Sequence, residues 1–401
     1  MTDEDQIGDG RRGEGRVGQN EGPGGVVGGG VGGGRGGRIL GFDVARAVAF
    51  VGMVMVNFKV VMGAGDAGPA WGVWAAGLLE GRAAATFVVL AGVGVSLMSA
   101  RARRSGDSEV LAGNRGGLLR RAAFLFVLGL AYSPIWPADI LHFYGLYLAL
   151  AALLLGARDR TLWLATAAVA ALGSALLMVL DYGAGWDFET LHYEDFWTPA
   201  GLVRHMLYNG FHPVVPWVAF VFLGMWLGRR DLRSRPVRRR LAAVGAAAVA
   251  VSEGLAFLGR RAVATLEGDG VEELMYLFVT DPMPPTVFFL GSAGGVAVVG
   301  ITAAVAWTEG ARATGRHRRL IEALASTGQL ALTLYVAHVL VGMGTLEALG
   351  WLAEEKGAEG QSLGRAVLSA LVFCVAAVGF AWGWRRYFNR GPVEWCMRKL
   401  T

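Results

Sequence analysis

Ten apolar runs, most near the ~20 residues that cross a bilayer as a helix, alternate with polar connections along the chain. They cover roughly 39–63, 74–100, 118–135, 138–157, 161–181, 212–229, 238–258, 285–308, 321–346 and 364–386. Runs of this length without a strand-like alternation predict helices whose faces meet lipid or other helices. The expected fold is all-α: a polytopic integral membrane bundle of about ten transmembrane helices. Residues 1–37 break the pattern. They are Gly-rich, have no apolar period and read as a disordered cytoplasmic tail. They also lack the apolar core of a signal peptide. Residues 38–401 read as a single transmembrane domain with external loops at about 182–211 and 259–284.

Composition supports the pattern. Of 401 residues, 54% are hydrophobic and 17% charged, against about a quarter charged in soluble domains. The two cysteines, Cys374 and Cys396, exclude a disulfide framework. Charge sets the orientation. Of the 37 Lys and Arg residues, 29 lie in 1–38, 101–121, 158–160, 229–240, 312–319 and 385–399, 5 in the alternate connections and 3 within spans. This alternation follows the positive-inside rule and places both termini in the cytoplasm. The expected location is the plasma membrane, multi-pass, in a bacterial inner membrane.

Polar residues inside the spans are the candidates for chemistry, because ionisable groups at membrane depth are costly and demand partners. Asp43 and Arg46 sit near the inner end of the first span, three residues apart on one helical face, and are read as a structural ion pair. Asn57, Lys59, Glu80, Arg82, Asp139, His142, His212, Glu253 and His338 all fall on the external half. Two readings are open. Either they converge on one water-accessible site, or they form separate ion pairs, with Lys59 and Arg82 snorkelling to the interface. Histidine can take and return a proton near neutral pH, which makes His338 and His142 the candidate bases. No His-x-x-x-His spacing exists, so no metal site is expected.

These residues carry a resemblance. "RILGFDVARAVAFVGMVMVNF" (38–58) resembles the first span of the acyltransferase-transmembrane superfamily: a basic residue, an Asp, an Arg three later and an apolar run ending in Asn. "GLLEGRAAATFVVLAGVGVSL" (77–97), "ADILHFYGLYLALAALLL" (138–155), "HPVVPWVAFVFLGMWLGR" (212–229) and "STGQLALTLYVAHVL" (326–340) resemble later spans of its bacterial YeiB-like branch. The ending "WRRYFNRGPVEWCMRKLT" (384–401) is the most specific match. The superfamily includes the heparan-α-glucosaminide N-acetyltransferase, which acetylates a sugar amine across a membrane with cytosolic acetyl-CoA. Two departures stand out: Ala47 replaces a common Gly, and "MGAGDAGPAW" (62–71) has no histidine where the heparan enzyme places a functional one. Asn57 carries over by position.

The resemblance implies a membrane O- or N-acyltransferase of the cell envelope. It would move an acyl group, acetyl by expectation, from acetyl-CoA to an extracytoplasmic glycan or small molecule. His338 or His142 would deprotonate the acceptor, oriented by Glu80 or Asp139. Asn57, Lys59, Arg82 and His212 would bind substrate and stabilise developing charge. Expected partners are the lipid bilayer, acyl-CoA and the acceptor, with no nucleic acid. The alternatives are a transporter or exporter of a small anion or metabolite, with Lys59 and Arg82 lining its path, and a non-catalytic partner in envelope assembly.

Overall fold

The computed structural model describes residues 38–64, 70–187, 192–268, 270–353 and 361–401. The tail 1–37 and parts of all three connections named above lie outside the described residues. The described chain is almost wholly helical. It begins with α1 (Leu40–Val61), a short α2 (Ala70–Gly77), α3 (Arg82–Ser105), α4 (Ser108–Tyr132), α5 (Leu141–Leu153) and α6 (Asp159–Val179). Two-residue strands, β1 (Trp186–Asp187) and β2 (His192–Tyr193), pair antiparallel. Then α7 (Pro199–Arg204) runs into a π-helical turn, His205–Asn209, ahead of α8 (Val214–Leu227). α9 (Arg235–Val263), α10 (Val271–Tyr276), α11 (Val287–Thr314), α12 (Arg318–Gln329) and α13 (Ala331–Ala337) follow. A second π-helical turn, His338–Met343, continues into α14 (Gly344–Ala348), and α15 (Leu363–Trp384) and α16 (Pro392–Leu400) close the order.

Among the described residues, seven helices are long and apolar enough to cross a membrane, and the pair Pro199–Asn209 with Val214–Leu227, bent by 47°, brings the number to eight if it forms one broken span. The protein is therefore a multi-pass membrane protein with an all-α bundle. α5 is apolar but shorter.

Two predicted runs are cut differently by the chain. The second, 74–100, is interrupted: the backbone turns before α3 at Gly81, whose φ is +66°. A side chain there would also meet Pro282 at 2.6 Å and Phe289 at 2.8 Å, so glycine is required on both counts. The ninth, 321–346, divides at Leu330 into amphipathic α12 and a spanning segment, Ala331–Ala348.

Burial separates inner from outer helices. α3 and α11 have 61% and 56% of their apolar windows buried, whereas α6 and α9 have 11% and 17% and face outward. α3 and α8 pack with backbones nearly touching. A Cβ on Gly92 would strike the Val221 carbonyl, and one on Gly224 the Val89 carbonyl. Such small-residue contacts replace the hydrophobic drive that lipid removes. Trp217, Phe220 and Phe289 pack edge-on and tilted between α8 and α11.

Candidate active site

Contacts pair the helix ends. At the basic end, Arg46 Nη1 donates to Asp43 Oδ1 at 3.1 Å, and Gln329 Nε2 donates to Asp43 Oδ2 at 3.2 Å. The pair read from sequence is thus a three-residue tie between α1 and α12. Arg46 also lines a cavity of about 350 Å³ with Arg121, Tyr144, Gln329, Ile140 and Tyr335.

At the other end, a second cavity of about 250 Å³ is lined by Asn57, Glu80, His212, Phe211, Ile140 and Tyr335. Ile140 and Tyr335 belong to both cavities, so they form the partition between them. The Tyr335 hydroxyl donates to Asp139 Oδ1 at 3.0 Å and accepts from the Ile140 amide at 3.2 Å.

His338 stands next to this partition. Its Nδ1–H donates to the Tyr335 carbonyl. A carbonyl only accepts, so Nδ1 carries the proton and Nε2 is left as the basic nitrogen. The Asn57 side-chain amide donates to that Nε2 at 2.9 Å, from 281 residues away in sequence. His338 is fully buried, while Asn57 opens onto the second cavity. His338 is also the first residue of a π-helical turn, a local widening common at functional sites.

The remaining predicted residues divide. Lys59 Nζ pairs with Glu80 Oε1 at 2.8 Å, partly exposed at the rim. Arg82 does not join the second cavity. Its Nη2 is held by Glu253 Oε1 at 2.7 Å, with Ser292 donating to the same oxygen at 2.6 Å and Thr280 to Oε2 at 2.9 Å. His142 is also fully buried, with Nδ1 3.1 Å from Asp139 Oδ2, which accepts the Leu141 amide at 2.8 Å. Its Nε2 has no hydrogen-bond partner among the described residues, and its ring faces Phe143, Phe196 and His205. Among the described residues, no group of three or more His, Cys, Asp or Glu side chains could hold a metal ion. The sequence reading missed three groups: Tyr335, His205 and Glu394. His205 opens the other π-helical turn and lines an outer pocket of about 200 Å³ with Trp197 and Glu194. Glu394 accepts the Leu332 and Thr333 amides at 2.9 and 3.1 Å, capping α13 from α16. A second signal for Tyr335 was present in "YVAH", where it precedes His338 by three residues.

Fold and contacts define a multi-pass membrane protein in which a buried histidine–asparagine pair lies beside the wall between two cavities. Residues 38–265 match the family model described as heparan-alpha-glucosaminide N-acetyltransferase, catalytic. The chain belongs to this membrane acetyltransferase-like family. Residues 272–401 match a second family, described as protein of unknown function (DUF418). No curated protein matches the chain. Asn57 lies in the first matched segment and His338 in the second, so their hydrogen bond joins the two.

Proposed function

We propose that the protein is a membrane acyltransferase that moves an acetyl group from acetyl-CoA to a hydroxyl or amine of an extracytoplasmic glycan or small molecule. One observation carries this reading: the Asn57–His338 hydrogen bond beside the partition between cavities opening toward opposite ends. Arg46 and Arg121 beside the basic-end cavity suit a donor bearing phosphates. The Tyr144 hydroxyl, buried and without a partner among the described residues, lines the same cavity and suits a polar donor arm. The acceptor enters from the other end, where Asn57, Glu80 and His212 line the cavity.

In this reading the acceptor displaces the Asn57 amide at His338 Nε2 and gives up its proton there. Its oxygen or nitrogen bonds to the thioester carbonyl carbon. The freed Asn57 amide donates to the developing oxyanion. The carbon–sulfur bond then breaks, and the thiolate recovers the proton from His338. Tyr335 holds the productive tautomer throughout, through its carbonyl. Asp139 acts one step away, by fixing the Tyr335 hydroxyl.

The test is incubation of purified full-length protein with radiolabelled acetyl-CoA and candidate glycans or amines. Labelled product is expected. Absence of both transfer and coenzyme A binding would overturn the proposal, and proteoliposome uptake dependent on Lys59 would favour transport. Sidedness in the plasma membrane has its own probe. The exposed Cys396 should resist an impermeant thiol reagent in intact cells, whereas Glu267→Cys should react.

A further inference from the structure

The basic end holds a charge imbalance outside the site described above. Arg229 and Arg230 follow α8, and Arg103 lies in the last turn of α3. Arg229 Nη1 donates to Asp159 Oδ1 at 2.7 Å, and Arg230 Nη2 pairs with the other oxygen of the same carboxylate. Arg103 donates to the hydroxyls of Ser96 and Ser99 and stands within electrostatic reach of Arg229 and Asp159. Two guanidiniums therefore bond one carboxylate, and a third adds its charge nearby. Arg229 Nε and Nη2 and Arg230 Nε are buried with no hydrogen-bond partner among the described residues. Buried donors left unmade are costly. A planar fork of such donors matches the oxygens of a phosphate.

An apolar crevice of about 380 Å³ lies between α6, α8, α9 and α11. Trp163 and Trp226 stand at its basic end with ring centroids 5.1 Å apart. The Arg230 guanidinium lies 4.7 Å over the Trp226 ring, linking the cations to the crevice. α6 and α9 are the outward-facing helices, so the crevice opens toward the bilayer.

We propose that this is a binding site for an anionic phospholipid of the leaflet at the basic end, with its phosphate among Arg103, Arg229 and Arg230 and one acyl chain in the crevice. A soluble phosphate compound would satisfy the arginines and leave the crevice unfilled, which is why the lipid is the occupant. The site is separate from the His338 centre and stands whether or not acyl transfer occurs.

The test is native mass spectrometry of the full chain in detergent, titrated with phosphatidylglycerol. Wild type should hold one lipid, and Arg229→Gln/Arg230→Gln should bind it about ten-fold more weakly. Ala167→Trp fills the crevice without touching the arginines and should weaken binding as well. Arg316→Gln, an exposed arginine at the same end, should bind like wild type. Unchanged binding in the double variant would overturn the proposal, as would an equal loss in Arg316→Gln. Displacement of the lipid by equimolar coenzyme A would assign the arginines to a soluble phosphate and overturn it too.

Discussion

His338 and His142 begin alike. Both are fully buried, and each ties Nδ1 to a group three residues earlier: His338 to the Tyr335 carbonyl, His142 to the Asp139 carboxylate. Their other nitrogens part company. His338 Nε2 meets Asn57 from α1, a residue that opens onto a cavity. His142 Nε2 meets no partner among the described residues and is ringed by Phe143, Phe196 and His205. The same local device thus produces two different groups. What surrounds the second nitrogen, rather than burial, is what distinguishes the two candidate bases.

The sharpest break of this comparison is a pair of variants. His338→Ala should lower acetyl transfer by about 10²–10⁴-fold, whereas His142→Ala should stay within about ten-fold once corrected for folded protein. Equal losses, read from initial rates on protein of matched monodispersity, would erase the distinction. Asn57→Ala should cost about 10²–10³-fold in kcat with little change in KM, as removal of an oxyanion donor does. A rise in KM alone would recast Asn57 as a binding group. Tyr335→Phe keeps the carbonyl that fixes His338 and deletes the hydroxyl shared by Asp139 and Ile140. A stability loss of about 1–3 kcal/mol in thermal unfolding is expected, with a smaller activity loss than Asn57→Ala. Lys59→Gln should do least: its partly exposed pair with Glu80 is worth about 0–1 kcal/mol. An activity loss matching that of Asn57→Ala would return Lys59 to the site.

Much of the bundle was legible because apolar runs report lipid directly. The Asp43–Arg46 pair was legible because a three-residue spacing sets both on one face of a single helix. Arg82 shows the limit. Depth placed it beside Glu80, but the rotation of α3 turned it toward Glu253 and Ser292, and rotation leaves little trace in a run of Ala and Val. The turn at Gly81 hid inside an apolar run because Leu78 and Leu79 before it and Ala83, Ala84 and Ala85 after it read as one continuous helix. The Asn57–His338 contact joins positions 281 apart, and no local periodicity encodes such a pairing. His205 and Tyr335 were missed because buried aromatic neighbours resemble ordinary packing residues in a linear pattern.

The cap on α13 bears on the order of synthesis. α13 begins at Ala331 and leads directly into His338, and its first amides are satisfied by Glu394, which emerges much later. Asn57 is made early, His338 late and the cap later still. A chain already threaded through most of its spans would therefore still lack a settled Asn57–His338 centre. Membrane insertion and maturation of that centre become separable events, and an unfinished or damaged α16 would leave an inserted protein that quality control must recognise by something other than its topology.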